Sequence, residues 1–120
     1  MKYSESLKKN RDFQQVYRHG TSYANRYLVM YVLKNQYMEN RLGISVSKKV
    51  GNSVVRHRIT RLIRESYRLN ELLFKNSLDI VVIARPLAKG KSYQEIESAL
   101  LHLAKKHQIA GEKKNEEFSD

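Results

Sequence analysis

The spacing of apolar and polar residues along the chain predicts three helices and three strands. Apolar residues at helical spacing predict helices over 5–18, about 53–73 and 92–107. Runs rich in β-branched and aromatic residues predict strands over 26–34, 41–50 and 78–86. A further short strand is expected near residues 20–24, so the predicted order is α, β, β, α, β, α with an optional strand after the first helix.

The strand predicted over residues 26–34 is apolar on both of its faces. One face carries Tyr27, Val29, Tyr31 and Leu33, and the other carries Leu28, Met30 and Val32. Strands covered on both sides have this pattern, whereas a strand with one solvated face alternates with polar residues. We therefore expect this strand either to be covered on both sides or to present one face to a ligand.

The helix predicted over residues 53–73 is amphipathic in an unusual way. Its expected apolar stripe consists of Val55, Ile59, Leu62, Ser66, Leu69 and Leu73. The opposite arc is basic and consists of His57, Arg58, Arg61, Arg64 and Arg68, with Arg56 at its side. Arginine presents a planar fork of donors that matches phosphate oxygens. Either Asn52 or Ser53 is a suitable N-cap, and a helix N-terminus also favours phosphate.

A charge run of this kind is often only a solvated helix face. Solvated faces, however, usually place opposite charges on neighbouring turns. Here Glu65 is the only acid between residues 48 and 68. The pattern favours a surface that meets an anionic partner.

Composition and charge extend this interpretation to the whole chain. The 120 residues predict one domain over 1–110, followed by a charged tail over 111–120 that is predicted to be disordered. The formal net charge is +11, and because the last nine residues carry two bases and four acids, the rest of the chain carries +13. Such a charge implies a polyanionic partner, usually nucleic acid. A membrane surface is the other candidate, disfavoured because the apolar residues are needed for a core.

The expected location is the cytoplasm. There is no cysteine, which excludes disulfides and cysteine-bound metals and suits a reducing compartment. No apolar run approaches the roughly 20 residues of a membrane span. The first residues, MKYSESLKKNRDF, lack the apolar centre of a signal peptide.

Several separated blocks of the chain resemble the bacterial ribonuclease P protein subunit. The blocks are KKVGNSVVRHRITRLIR, LKKNRDFQQVYRHGTSYANR, RLGISVSKKVGN and DIVVIARP, and the resemblance covers roughly residues 3–107 in the family's order. Three positions depart from the family's pattern. His57 replaces a usual asparagine, Thr60 a usual base and Ser53 a common alanine.

The resemblance implies a particular α+β fold. The family is a single-domain α-β-β-β-α-β-α sandwich around a four-stranded mixed sheet, similar to domain 2 of ribosomal protein S5. It also implies a left-handed βαβ crossover through the basic helix, although about 98% of such crossovers are right-handed.

The resemblance also implies a function in which the RNA is the catalyst. The family's catalytic RNA uses Mg²⁺ to remove the 5′ leader of precursor tRNA, and the protein binds both RNAs without supplying a catalytic side chain or a metal site. The residues expected to bind the catalytic RNA are Asn52, Arg56, His57, Arg58, Arg61, Arg64 and Arg68. Those expected to bind the leader are Phe13, Tyr17 and Tyr31, with Lys48 and Lys49 for its phosphates. Aromatic stacking beside a basic groove is a common way to bind single strands.

Other functions fit the sequence less well. A nuclease acting alone needs clustered carboxylates or a histidine pair, and Asp12, Asp79, Glu95 and Glu97 form no such motif. A helix-turn-helix DNA binder is disfavoured because a strand precedes the basic helix. A general structured-RNA-binding or ribosome-associated protein on a similar sheet remains the alternative.

Overall fold

The computed structural model of the protein describes residues 1–111. They form one α+β domain of three helices and five strands, in the order β1 (Ser4–Ser6), α1 (Asn10–His19), β2 (Thr21–Ala24), β3 (Leu28–Lys34), β4 (Asn40–Ser45), α2 (Ser53–Leu69), β5 (Leu78–Ala84) and α3 (Tyr93–Lys106). The tail predicted over 111–120 lies outside the described residues, apart from Gly111. None of the described helices is long and apolar enough to cross a membrane.

The five strands form one mixed sheet in the order β1-β4-β5-β3-β2. β1 and β5 both run parallel to β4, while β3 is antiparallel to β5 and β2 is antiparallel to β3. The parallel neighbours β4 and β5 are joined through α2, which is the predicted βαβ unit. The left-handed sense of that crossover stays a prediction of the resemblance.

The prediction of a first helix over 5–18 and of four strands was wrong at the N-terminus. Residues 4–6 form the edge strand β1, and α1 begins only at Asn10. Polar contacts hold this segment in place: the Glu71 carboxylate accepts hydrogen bonds from the backbone N–H groups of Lys2 (3.2 Å) and Tyr3 (3.0 Å). The hydroxyls of Ser4 and Tyr67 lie 2.7 Å apart and share a hydrogen bond. The optional strand after the first helix is confirmed as β2.

Both faces of the sheet are covered, as the pattern of β3 predicted. One face packs against α2 and α3 in the main core, which includes the fully buried Met30, Ile63 and Ile96. The other face packs against α1 in a smaller cluster around Leu7, Val16 and Val81. Tyr27 departs from the predicted alternation, because it precedes β3 and packs against the main core.

The predicted apolar stripe of α2 is confirmed in part: Ile59 and Ser66 are buried, and Val55, Leu62 and Leu73 pack against the main core. The buried residues of the helix are Ile59, Ile63, Ser66 and Tyr67, whereas Leu69 is 57% exposed. The helix ends at Leu69, and the next residue, Asn70, is held by its side chain. Asn70 Nδ2 donates to Ser66 O (2.7 Å) and to a Glu97 carboxylate oxygen (2.8 Å). Residues 71–73 continue as a short 3₁₀ turn.

A buried ion pair fixes α1 on the sheet. Asp79 on β5 is 4% exposed and accepts two hydrogen bonds from Arg41 on β4, at 2.8 and 2.6 Å. Asn35 Nδ2 donates a third at 2.9 Å. Arg41 also reaches Asp12 on α1 at 3.5 Å. The pair therefore joins two central strands and the helix that covers them.

Arg41→Ala is expected to lower the free energy of unfolding by about 3–5 kcal/mol, because it leaves the buried Asp79 carboxylate without its cation. Urea denaturation measures the change. The control is Arg68→Ala, which breaks an equally well-formed but exposed pair with Glu65 and should leave the midpoint almost unchanged. Similar midpoints for both variants would contradict a structural role for the buried pair.

Candidate nucleic-acid interface

The N-terminus of α2 is capped by Asn52. Its Oδ1 accepts a hydrogen bond from Val55 N at 3.0 Å, which decides between the two caps that the sequence allowed. The first turn of α2 contains no acid. The positive end of the helix dipole is therefore not neutralised locally, and anions are favoured there.

The basic arc of α2 is exposed as predicted and is called here the arginine front. Its members are His57, Arg58, Arg61, Arg64 and Arg68, all of them exposed. A groove of about 520 Å³ lies between Met1 and the arginine front, so this surface is concave. The groove is lined by Met1, Arg58, Arg61, Leu62, Arg64, Glu65 and Arg68.

Two arginines of the front are held by other groups. Arg68 donates to both carboxylate oxygens of Glu65, at 2.6 and 2.8 Å. These bonds lower the pKa of Glu65, which therefore stays ionised. Arg58 Nη2 donates to the carbonyl oxygen of Lys91 at 3.1 Å. Within residues 1–111, no hydrogen bond or ion pair involves the guanidinium of Arg61 or Arg64.

Arg56 lies apart from the front, at the side where the sequence placed it. It is partly buried, and its Nε–H is buried with no hydrogen-bond partner among the described residues. A buried donor without a partner costs about 1–3 kcal/mol.

The three aromatic residues predicted to bind the leader lie together between α1 and the sheet; they are called here the aromatic cleft. Ring centroids are 6.3 Å apart for Phe13 and Tyr17, and 5.1 Å apart for Tyr17 and Tyr31. The second pair is edge-to-face, a favourable geometry for aromatic rings. All three rings are half-buried, so they are neither core residues nor free side chains.

Gly43 on β4 allows Phe13 to approach the sheet. A Cβ atom at residue 43 would lie 2.7 Å from two atoms of the Phe13 ring. Burial raises the pKa of Tyr17, while a hydrogen bond to Ser45 acts in the opposite direction. The Tyr17 hydroxyl therefore remains protonated at neutral pH and is available as a donor.

Lys48 and Lys49 are exposed in the turn that joins β4 to α2. Lys48 follows Ser45, a neighbour of Tyr17, by three positions, so it lies within about 10 Å of the cleft along the chain. This turn connects the aromatic cleft to the N-terminus of the arginine front.

The sequence interpretation missed further residues of the cleft. Leu33 and Ile83 are half-buried and pack against its cluster. The alternation along DIVVIARP was the available signal for Ile83, because Val81 and Ile83 fall on one side of an extended strand. Arg85, two positions further on, is exposed and donates to the carbonyl oxygen of Asn25 at 2.8 Å, in the turn before β3.

Several titratable groups outside these surfaces are engaged in structural contacts. The carboxylates of Asp12 and Asp79 come close to each other because both pair with the guanidinium of Arg41. Among residues 1–111, no group of three or more histidine, cysteine, aspartate or glutamate side chains could hold a metal ion. His102 is exposed, whereas His107 is half-buried with its Nε2 2.8 Å from Met30 O, and burial lowers the pKa of His107.

Comparison with known proteins identifies the family. The model of the family Ribonuclease P matches residues 1–108. The ribonuclease P protein component of Lachnoclostridium phytofermentans is 67% identical over 106 residues, which cover 88% of this chain and 91% of that protein. That of Alkaliphilus metalliredigens is 56% identical over 109 residues, covering 91% and 98%.

Solved structures agree with the sequence relatives. The ribonuclease P protein of Staphylococcus aureus has a TM-score of 0.82 and 42% identity, covering 88% of this chain and 97% of that one. The protein from Thermotoga maritima has a TM-score of 0.79 and 33% identity, covering 89% and 99%.

The fold and the charged surface define a small, strongly basic α+β protein built around a five-stranded mixed sheet. The chain belongs to the ribonuclease P protein family. Its role is that of the protein subunit of the ribonuclease P endoribonuclease. The family assignment made from the sequence is thus confirmed, and the alternative of a general RNA-binding or ribosome-associated protein is not favoured.

Proposed function

We propose that the arginine front binds the catalytic RNA of ribonuclease P and that the aromatic cleft holds the 5′ leader of precursor tRNA. The observation that supports this division is the placement of the two surfaces. The cleft lies between α1 and one face of the sheet, whereas α2 packs on the opposite face and directs the front away from it. Two RNA segments can therefore bind without competing for the same side chains.

The chemistry of the front suits a structured RNA. Its arginines grip phosphate oxygens in pairs, and Arg61 and Arg64 have no competing partner among the described residues. Arg56, at the side of the front, is assigned to the same surface. Asn52, at the positive end of α2, and His57 complete the surface that we assign to the catalytic RNA.

The chemistry of the cleft suits an unpaired strand. A half-buried tyrosine ring can offer one face to a base while its hydroxyl stays hydrated or hydrogen-bonded. Stacking of a base on an aromatic ring contributes about 1–3 kcal/mol to the free energy of binding. Lys48 and Lys49 lie beside the cleft, where the phosphates of a strand leaving it would be met by positive charge. Phe13 fixes the geometry by packing on Gly43.

The protein supplies binding surfaces, and the RNA supplies the reaction. We assign no catalytic side chain to this chain, since its paired carboxylates Asp12 and Asp79 are engaged with Arg41. The Mg²⁺ ions of leader cleavage are assigned to the RNA, and the site of action to the cytoplasm.

Arg58→Ala combined with Arg61→Ala is expected to weaken binding to a bacterial ribonuclease P RNA and to make it less sensitive to salt. The slope of log affinity against log salt should flatten by about 0.7–0.9 for each phosphate that the variant no longer neutralises. Fluorescence titrations at several salt concentrations measure this slope. The charge-matched control is Lys34→Ala with Lys75→Ala, which removes two exposed cations near the start of β5. Equal slopes for the two double variants would show that the front is only solvated.

Tyr17→Ala or Tyr31→Ala is expected to weaken binding of precursor tRNA to the reconstituted holoenzyme by about 1–3 kcal/mol, because a base loses its stacking partner. Binding of mature tRNA, which has no leader, should barely change. Tyr3→Ala is the control, because Tyr3 is an exposed tyrosine (51%) that lies before β1, at the edge of the sheet. Thermal unfolding checks that each variant is folded. Equal losses for precursor and mature tRNA would move these rings out of the leader site.

A further inference from the structure

A cluster of cations surrounds Tyr27, outside both surfaces described above. The guanidinium carbon of Arg26 lies 5.7 Å from the centre of the Tyr27 ring, and Lys91 Nζ lies 5.3 Å from it. Both distances are within the range of cation–π attraction. The ring is thus in contact with two cations from different segments, one in the turn before β3 and one in the turn before α3.

Hydrogen bonds fix this turn against α3. Asn25 Nδ2 donates to Ala99 O at 2.9 Å, and Asn25 Oδ1 accepts from Leu28 N at 3.0 Å. The carbonyl oxygen of Tyr27 accepts from Arg85 N at 2.8 Å. Because several elements hold the turn, Arg26 and Tyr27 project from a rigid base.

The cluster is continuous with the arginine front. Arg58 belongs to the front, and its Nη2 donates to the carbonyl oxygen of Lys91 at 3.1 Å. Beyond Tyr27 lies a groove of about 370 Å³ between residues 25–27 and the outer side of α3. An RNA that covers Arg58 therefore lies next to Lys91 and Arg26.

The charge of the cluster remains positive. Its acid is Glu95, which lines the same groove. One Glu95 carboxylate oxygen accepts from the backbone N–H and the hydroxyl of Ser92, both at 3.1 Å, in the capping box of α3. Glu95 is thus engaged in the cap, and Arg26, Lys91 and Arg58 together outweigh it.

We propose that Arg26 and Lys91, positioned by the Tyr27 ring, form a further phosphate-binding site that extends the arginine front across the N-terminal end of α3. The ligand is the phosphodiester backbone of the catalytic RNA. Cations held in fixed positions bind phosphates with little loss of side-chain entropy, and the site borders the surface already assigned to that RNA. This inference rests on the proposed function of the front.

The test is Arg26→Ala combined with Lys91→Ala, measured as binding to a bacterial ribonuclease P RNA over a range of salt concentrations. Affinity should fall, and the slope of log affinity against log salt should flatten by about 0.7–0.9 for each phosphate left without its cation. The reverse exchange, Arg26→Lys with Lys91→Arg, keeps the charges and should retain most of the affinity. Tyr27→Phe should bind like the parent, whereas Tyr27→Leu should bind less tightly because the cations lose their ring.

Controls separate this inference from the function on which it rests. Lys34→Ala with Lys75→Ala removes the same charge elsewhere, and equal effects of the two double variants would overturn the proposed site. The double variant Arg61→Ala with Arg64→Ala tests the front alone. If this front variant lost affinity for the RNA while Arg26→Ala with Lys91→Ala did not, only the present inference would fail. If neither double variant lost affinity, the function proposed for the front would fail as well. A loss confined to precursor tRNA binding would also overturn the assignment to the catalytic RNA.

Discussion

The architecture depends on the burial of strand β5 from both sides. Residues 78–82 are buried without interruption, with Ile80 and Val82 in the main core and Val81 in the cluster beneath α1. A central strand with two apolar faces needs a cover on each. Helices α2 and α3 cover one face and α1 covers the other. The two surfaces that we assign to RNA follow from this arrangement, because each depends on a helix on a different side of the sheet.

One buried polar contact sets the position of α1 on its face. The Arg41 guanidinium lies between Asp79 on the central strand and Asp12 on the helix, at 2.6 and 3.5 Å. The bonds to Asp79 raise the pKa of Arg41 further above its already high value, so the cation persists throughout the physiological range. Phe13 directly follows Asp12 on α1, so the contact that fixes the helix also helps to place the first ring of the aromatic cleft.

Local patterns in the sequence predicted most elements and the exposed arc of α2, because periodicity reports directly which side of an element is buried. They failed where a distant residue decides the outcome. Residues 4–6 became a strand because β4 offers a parallel edge, and Glu71 binds the backbone of Lys2 and Tyr3. The end of α2 was misplaced because Asn70 is held by Glu97, 27 positions away.

The candidate site shows the same division between local and distant information. The proximity of Phe13, Tyr17 and Tyr31 was expected only from the family resemblance, since they come from two separate elements. The cluster at Tyr27 could not be predicted at all. It requires that residues 26 and 91, which are remote in sequence, meet over one ring.

The most direct test of the proposed function is reconstitution of leader cleavage at low Mg²⁺ concentration. Precursor tRNA would be incubated with the purified, RNA-free protein, with a bacterial ribonuclease P RNA, and with both together. We predict no cleavage by the protein alone, weak cleavage by the RNA alone and efficient removal of the 5′ leader by the two together. Metal-dependent cleavage by the protein without RNA, or no improvement when the protein joins the RNA, would contradict the proposed function.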